Sequence, residues 1–174
     1  EVLDVMYDFL LERDGTAMAS ILSGDDVNKR QDVIREMLVH PATVTGLSDA
    51  GAHVTLICDG SMPSTQLSFW ARDRSRGEQI PLEFLVAKQT AGNAALYGLT
   101  DRGTLEVGKR ADVNVIDLEN LAVAAPRPHD DLPAGGTRLI QPVSGYLATI
   151  VNGVITRRDD EDTGARPGRL VRSR

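Results

Sequence analysis

Apolar positions at helical spacing open the chain. Val2, Leu3, Met6, Phe9 and Leu10 recur with Asp4, Asp8, Glu12 and Arg13 between them, which predicts an amphipathic helix ending near Asp14-Gly15. Thr16 to Leu22 is short, uncharged and apolar, the pattern of a buried strand in a parallel sheet. Asp25 or Asp26 is placed to cap a second helix, with Val27, Val33, Ile34, Met37 and Leu38 as its stripe. His40-Pro41 ends it, because the residue before proline avoids helical backbone. Thr43 to Leu47 then reads as a second buried strand, running into Ser48, Asp49 and the small residues Ala50, Gly51 and Ala52. Helix, strand, helix, strand predicts βα units and a parallel sheet.

Beyond Leu56 the pattern breaks. Residues up to Gln79 read as a long functional loop with a short helical piece, carrying Phe69, Trp70, Arg72, Arg74 and Arg76. Pro81 suits a first helical residue, Leu82, Leu85 and Val86 form a buried face, and Thr90 is a candidate cap for Ala91 to Tyr97. Past Gly103 the alternation becomes strand-like. Ala111 to Leu118 predicts a strand, and Ala124 to Gly136, with three prolines and two glycines, predicts a loop. Gly145 to Thr156 predicts a hairpin about Asn152-Gly153. The division falls between a first part, 1–98, and a small β domain, 99–174.

Composition narrows the function classes. A net charge of −6 and a pI near 5.0 argue against general binding of nucleic acid or anionic membrane. The arginines of the last turn-rich stretch are interrupted by Asp159 to Asp162, so they read as a solvated tail. One cysteine excludes an internal disulfide and fits a reducing cytoplasm. No run of eighteen apolar residues and no signal peptide is present. The chain begins at Glu1, without methionine, already in helical sequence, and so reads as a piece of a longer polypeptide.

Chemistry concentrates around Asp49. Taken locally, S-D-A-G is ordinary turn chemistry, and a turn or cap role is favoured. The functional alternative is a carboxylate at a strand's end that binds a metal and moves a proton. His53 either packs in the loop or lines the same site. His40 suits a helix C-terminus, and His129 lies in a proline-rich stretch. The three histidines form no HxH and no HExxH, so the chain alone lacks a convincing metal site. Cys58 reads as a buried structural thiol. Ser48 and Ser61 lack a nucleophile-elbow context. Ser64 and Thr65 are candidate substrate contacts, and Arg72, Arg74 and Arg76 either bind a substrate carboxylate or form a solvated face.

The order of several motifs carries more weight. H-P-A-T-V-T-G-L-S-D-A-G-A-H is followed by I-P-L-E-F-L-V-A-K-Q-T-A-G-N-A-A-L-Y-G-L. Then come D-R-G-T-L-E-V-G-K-R-A-D-V-N-V-I-D, I-V-N-G-V-I-T and T-G-A-R-P-G-R-L-V-R. Over residues 26–174 the chain resembles the C-terminal part of metal-dependent amidohydrolases, and the T-G-x-R-P-G-R tail resembles the N-acyl-D-amino-acid deacylase branch. The resemblance implies an α/β fold: the last βα units of a TIM-like (β/α)8 barrel with a small β-sandwich domain. It implies that Asp49 contacts zinc, orients the attacking water and passes its proton to the leaving amine. It further implies a small amide substrate as partner, while the composition above argues against nucleic acid and membrane as partners.

The departures from that family are definite. Its first-strand HxH-type ligands, bridging cysteine or modified lysine and mid-barrel histidines are absent here, and would lie upstream of Glu1. The branch carries G-S-D-G where this chain has L-S-D-A-G-A-H, and His53 takes no role from it. The expectation is therefore a C-terminal fragment, inactive and without tight zinc by itself. It would associate with the missing N-terminal part or with another copy. Two alternatives stand beside it: a non-catalytic binding or assembly module, and a cyclic-amide hydrolase of the dihydroorotase or hydantoinase kind.

Overall fold

The computed structural model describes residues 1–15, 17, 30–46, 48–51, 53, 54 and 56–171. The chain divides into two compact units, Glu1–Gln31 and Asp32–Arg174. In the first, α1 (Val2–Gly15) is the expected helix. The terminal ammonium donates to Asp4 at 2.9 Å, an anion in the first turn where the helix dipole favours one. Asp14 and Gly15, at φ 58° and 78°, end it in left-handed backbone. The strand expected at Thr16 to Leu22 lies, apart from Ala17, outside the described residues.

The second unit begins with α2 (Asp32–Val39), the described portion of the second expected helix. Thr43 Oγ1 donates to the carbonyls of Met37 and His40, at 2.5 and 2.9 Å, and so satisfies helix-end acceptors. Residues 43–46 are not a strand, which corrects the parallel-strand expectation for Thr43 to Leu47. A buried parallel strand needs a neighbouring strand to take up its backbone groups. Here side chains of a helix take that place.

The stretch read as a long functional loop is also different. A 3-10 turn (Asp59–Ser61) leads into α3 (Met62–Thr65) and then a π-helical run (Gln66–Asp73). Its wider turns show in the bond from Arg74 N–H to the Phe69 carbonyl, 2.8 Å. Trp70 and Leu67 from this run join Ile80, Leu85 and Leu121 in the core. Phe69 meets Trp70 edge to face, with ring centroids 5.2 Å apart. Arg74, only 3% exposed, stacks 4.7 Å over the Trp70 ring and donates to Asp32 at 2.6 Å. The loop reading failed because it took the arginines and serines of this stretch as loop residues, whereas Leu67 and Trp70 between them anchor a helical run in the core.

Pro81 precedes α4 (Leu82–Ala87), which passes through a π turn (Lys88–Gly92) into α5 (Asn93–Leu96). Thr90 caps nothing. It sits mid-run and donates back to the Val86 carbonyl at 2.7 Å, the local alternative open to a helical threonine. Gly98, at φ 66°, ends the run as expected.

Among the described residues every strand lies between 113 and 162, and every pairing is antiparallel. One sheet has the order β1 (Val113–Ile116), β6 (Tyr146–Val151), β7 (Val154–Arg158), β8 (Glu161–Asp162). The Asn152-Gly153 hairpin is present, with φ 52° and 79° at its two central residues. Two further pairs join β2 (Ala122–Val123) to β5 (Val143–Ser144), and β3 (Arg127–Leu132) to β4 (Gly136–Ile140). The β3–β4 pair occupies the stretch expected to be a loop. Proline is tolerated there because β3 pairs on one side, and Arg138 adds a fork onto Asp131 across the ladder at 2.7 and 2.6 Å.

The core crosses from helices to strands. Leu121 is fully buried, and Ile116, Leu118, Val143 and Tyr146 pack on the helical cluster. Gly145 makes this possible: a Cβ there would stand 2.8 Å from the Leu121 Cα, at φ 105°. Asp160 accepts from the Gly145 and Tyr146 N–H groups, both at 3.0 Å, and fixes that approach.

Candidate functional site

Three non-glycine residues in six positions hold left-handed backbone: Asp49 at φ 54°, His53 at 53° and Val54 at 42°. Such conformations cost roughly 1–3 kcal/mol each and persist where surroundings over-determine them. Aspartate and histidine enter this region several-fold more readily than average, whereas for a β-branched residue it is an outlier. Asp49 and His53 are both exposed. The turn is closed by Gly51 N–H to the Ile57 carbonyl at 3.3 Å. A bond from Leu139 N–H to the Val54 carbonyl, 3.1 Å, ties it to β4.

Between turn and hairpin lies a recess of about 420 Å³. Ala50, Gly51, Val54 and Cys58 form one side, and Leu132, Arg138, Leu139 and Gln141 the other. Ser61 donates to the Gln141 side chain, binding the two walls at one end. The lining is largely apolar with polar groups at Arg138 and Gln141, the usual make-up of a small-molecule pocket. Burial first, and then the charge of Asp59, push the Cys58 thiol up, so it stays protonated and is a poor nucleophile.

The other candidates lie elsewhere and are engaged within the protein. Ser64 is buried and shares a 2.7 Å hydrogen bond with the Tyr146 hydroxyl. Thr65 donates to the Ser61 carbonyl at 3.2 Å. Arg72 donates to the carbonyls of Leu118, Glu119 and Leu121, and its fork holds Asp73. That hydrogen bond holds the Asp73 carboxyl below its usual range and raises Arg72. The structure thus sets Asp49 and His53 on one turn, and Ser64 and Arg72 in the joint between helices and strands.

Lys88 and Asn93 were given no role by pattern reading, yet they hold the segment before Asp49. Lys88 Nζ donates to the Thr43 carbonyl, the Thr43 hydroxyl and the His40 carbonyl, at 2.5, 3.0 and 3.4 Å. Asn93 Nδ2 donates to Thr45 Oγ1 at 2.9 Å. Pattern reading offered no signal for them, since Lys88 and Asn93 stand among other polar residues, Glu83, Gln89 and Thr90, of the same helical stretch.

Among the described residues no three of His, Cys, Asp or Glu converge as a metal requires. His129 faces Asp131 at 3.6 Å, and His40 Nδ1 accepts from the Ala42 N–H at 3.1 Å. No helix among the described residues is long and apolar enough to cross a membrane.

An antiparallel β domain joined to helices, with an acid on an exposed turn beside a recess, is here written in a recognisable sequence. The amidohydrolase family model matches residues 3–157, and the chain belongs to that family. It is 35% identical over 95 residues to an N-acyl-D-glutamate deacylase of Alcaligenes xylosoxydans xylosoxydans, covering 55% of this chain and 17% of that protein. It is 32% identical over 129 residues to an S-triazine hydrolase of Gordonia rubripertincta, covering 72% of this chain and 26% of that protein. The chain thus spans about a sixth to a quarter of the length of these relatives. No solved structure matches it significantly.

Proposed function

We propose that this chain forms part of a larger zinc-dependent amidohydrolase that hydrolyses an amide C–N bond, with N-acyl-D-amino acids as substrates. The observation that carries the reading is Asp49, presented on an exposed, strained turn at the rim of an apolar recess in a chain of this family. The deacylase relative and the T-G-A-R-P-G-R stretch support the substrate class. In this reading the barrel of the family is completed by polypeptide outside the described residues, as are the remaining zinc ligands. Its partners are the small amide substrate, that further polypeptide and a second copy, in a cytoplasmic setting.

Asp49 takes a proton from the attacking water while the water oxygen bonds to the amide carbonyl carbon. It returns that proton to the amine nitrogen as the C–N bond breaks, so one carboxylate serves as base and then acid. The neighbouring recess receives the apolar portion of the substrate. His53 stands on the same turn and is the second side chain we propose to contact the substrate.

The triazine-hydrolase relative covers the larger share of this chain and favours a second reading, in which the C–N bond is carried by a ring. Assays of the full-length, zinc-loaded enzyme on N-acyl-D-glutamate and on an s-triazine distinguish the two. Asp49→Asn is the decisive variant, because asparagine also accepts left-handed backbone and leaves the turn intact. Turnover should fall about 10²- to 10⁴-fold with an unchanged unfolding midpoint. Wild-type turnover in that variant removes Asp49 from the mechanism. No turnover of any amide, cyclic amide or triazine by the wild type leaves the non-catalytic module as the function. The 174-residue chain itself should show neither turnover nor stoichiometric zinc.

A further inference from the structure

We propose that Lys88 and Asn93 are positioning residues that hold the segment leading to Asp49, and so set where its carboxylate stands. This rests on Asp49 being the site acid.

The polar groups of residues 43–46 need partners. The helical run from 82 to 96 supplies them. Lys88 reaches two carbonyls and one hydroxyl, spanning the end of α2 and the start of the segment. Asn93 binds the hydroxyl of Thr45, and that hydroxyl donates in turn to the Lys88 carbonyl at 3.5 Å. The direction of this relay is fixed: Thr45 has one proton to give, and so accepts from Asn93.

Four residues beyond Thr45 the left-handed positions begin. Strain of that kind relaxes unless both ends of the segment are held. Lys88 and Asn93 hold the leading end, and β4, through Leu139, holds the trailing end. A lysine spreading three protons over one loop, from a helix with its own backbone satisfied, is an anchor whose loss frees the loop and leaves the helix standing.

Cys58 is the only thiol in the chain and lines the recess next to the turn, so its labelling rate reports the local opening. In the 174-residue chain, Lys88→Met should raise the maleimide labelling rate of Cys58 about 10-fold or more with the chemical unfolding midpoint close to wild type. Lys88→Arg, which keeps donors on a similar stem, should restore a near wild-type rate. Thr45→Val removes a single hydroxyl and serves as the second variant if Lys88→Met does not fold. Its labelling should rise as well, by a smaller factor.

In the whole enzyme, Lys88→Met should lower kcat about 10- to 100-fold with KM near wild type, since a displaced catalytic group slows chemistry before it weakens binding. Unchanged labelling in both variants overturns the proposal, as does faster labelling that merely follows global unfolding. Unchanged kcat alongside an inactive Asp49→Asn also overturns it. An active Asp49→Asn refutes the proposed function instead, and the labelling rates still decide whether Lys88 and Asn93 hold the turn.

Discussion

Two of the turns that use left-handed backbone in this molecule do so at opposite cost. The β6–β7 turn places Asn152 and Gly153 at φ 52° and 79°, residues that accept this region with little or no penalty. The turn after residue 48 places Asp49, His53 and Val54 there, and Val54 at 42° is the most strained of them. The first turn is specified locally and would form in almost any hairpin. The second is held from outside, by Lys88 and Asn93 on one side and β4 on the other. The difference separates a turn that serves the fold from one that stores strain beside a recess and an exposed acid.

The largest expected effect is on the inexpensive side of that comparison. Gly145→Ala puts a Cβ 2.8 Å from the Leu121 Cα at φ 105°, against backbone that cannot swing away. It should cost about 3 kcal/mol in denaturant unfolding, from overpacking and strained backbone together. A loss below about 1 kcal/mol would show that the β domain yields where it is drawn as tight.

Next in size is a matched pair of valines. Val33 sits exposed in regular helix in α2, and Val54 is exposed in left-handed backbone. Val33→Gly should destabilise by about 0.5 kcal/mol through lost helix propensity. Val54→Gly should stabilise by about 0.5–1 kcal/mol, because relief of the strained φ exceeds the entropy that glycine adds to the unfolded chain. Equal losses at both sites would remove the strain from the Asp49 turn.

The smallest effect is electrostatic and lies at the end of the β domain. The Arg166 guanidinium forks onto Asp162 at 2.9 and 2.7 Å, and this hydrogen bonding lowers the carboxyl to about 2 from an ordinary 3.8. A folded value below the unfolded one adds stability that is complete above the unfolded value. That stability is lost as pH falls through about 2. An NMR titration should place Asp162 near 2, and Arg166→Gln should return it toward 3.8. Unchanged titration in the variant would assign the shift to the Gly164 N–H, which donates to the same carboxyl at 2.8 Å.

Much of the fold was legible where the code is local. The α1 helix, the 113–116 strand, the Asn152-Gly153 hairpin and the stop at Gly98 follow from spacing and turn chemistry. The π-helical run from 66 to 73 was not legible, because what anchors it is the packing of Leu67 and Trp70 on Ile80, Leu85 and Leu121, which lie further along the chain. The β3–β4 pair was hidden by its prolines, which pattern reading takes as breakers and an edge strand tolerates. Asp49 could be singled out by its place in a motif, yet its neighbourhood could not. Arg138, Gln141 and Lys88 come from positions far along the chain, and no spacing rule connects them to it.

By itself, then, the sequence determined the family, the hairpin and helix ends, and the acid worth testing, since each is encoded in residues adjacent in the chain. The tertiary structure alone decided that Arg72 and Ser64 bridge helices to strands. It also decided that burial pushes the Cys58 thiol up, and that a lysine holds the segment before Asp49 where a strand was expected. The physical reason is common to all of them. Burial, protonation and the satisfaction of backbone groups depend on which distant atoms arrive within a few ångströms, and the core around Trp70, Leu85 and Leu121 brings them there.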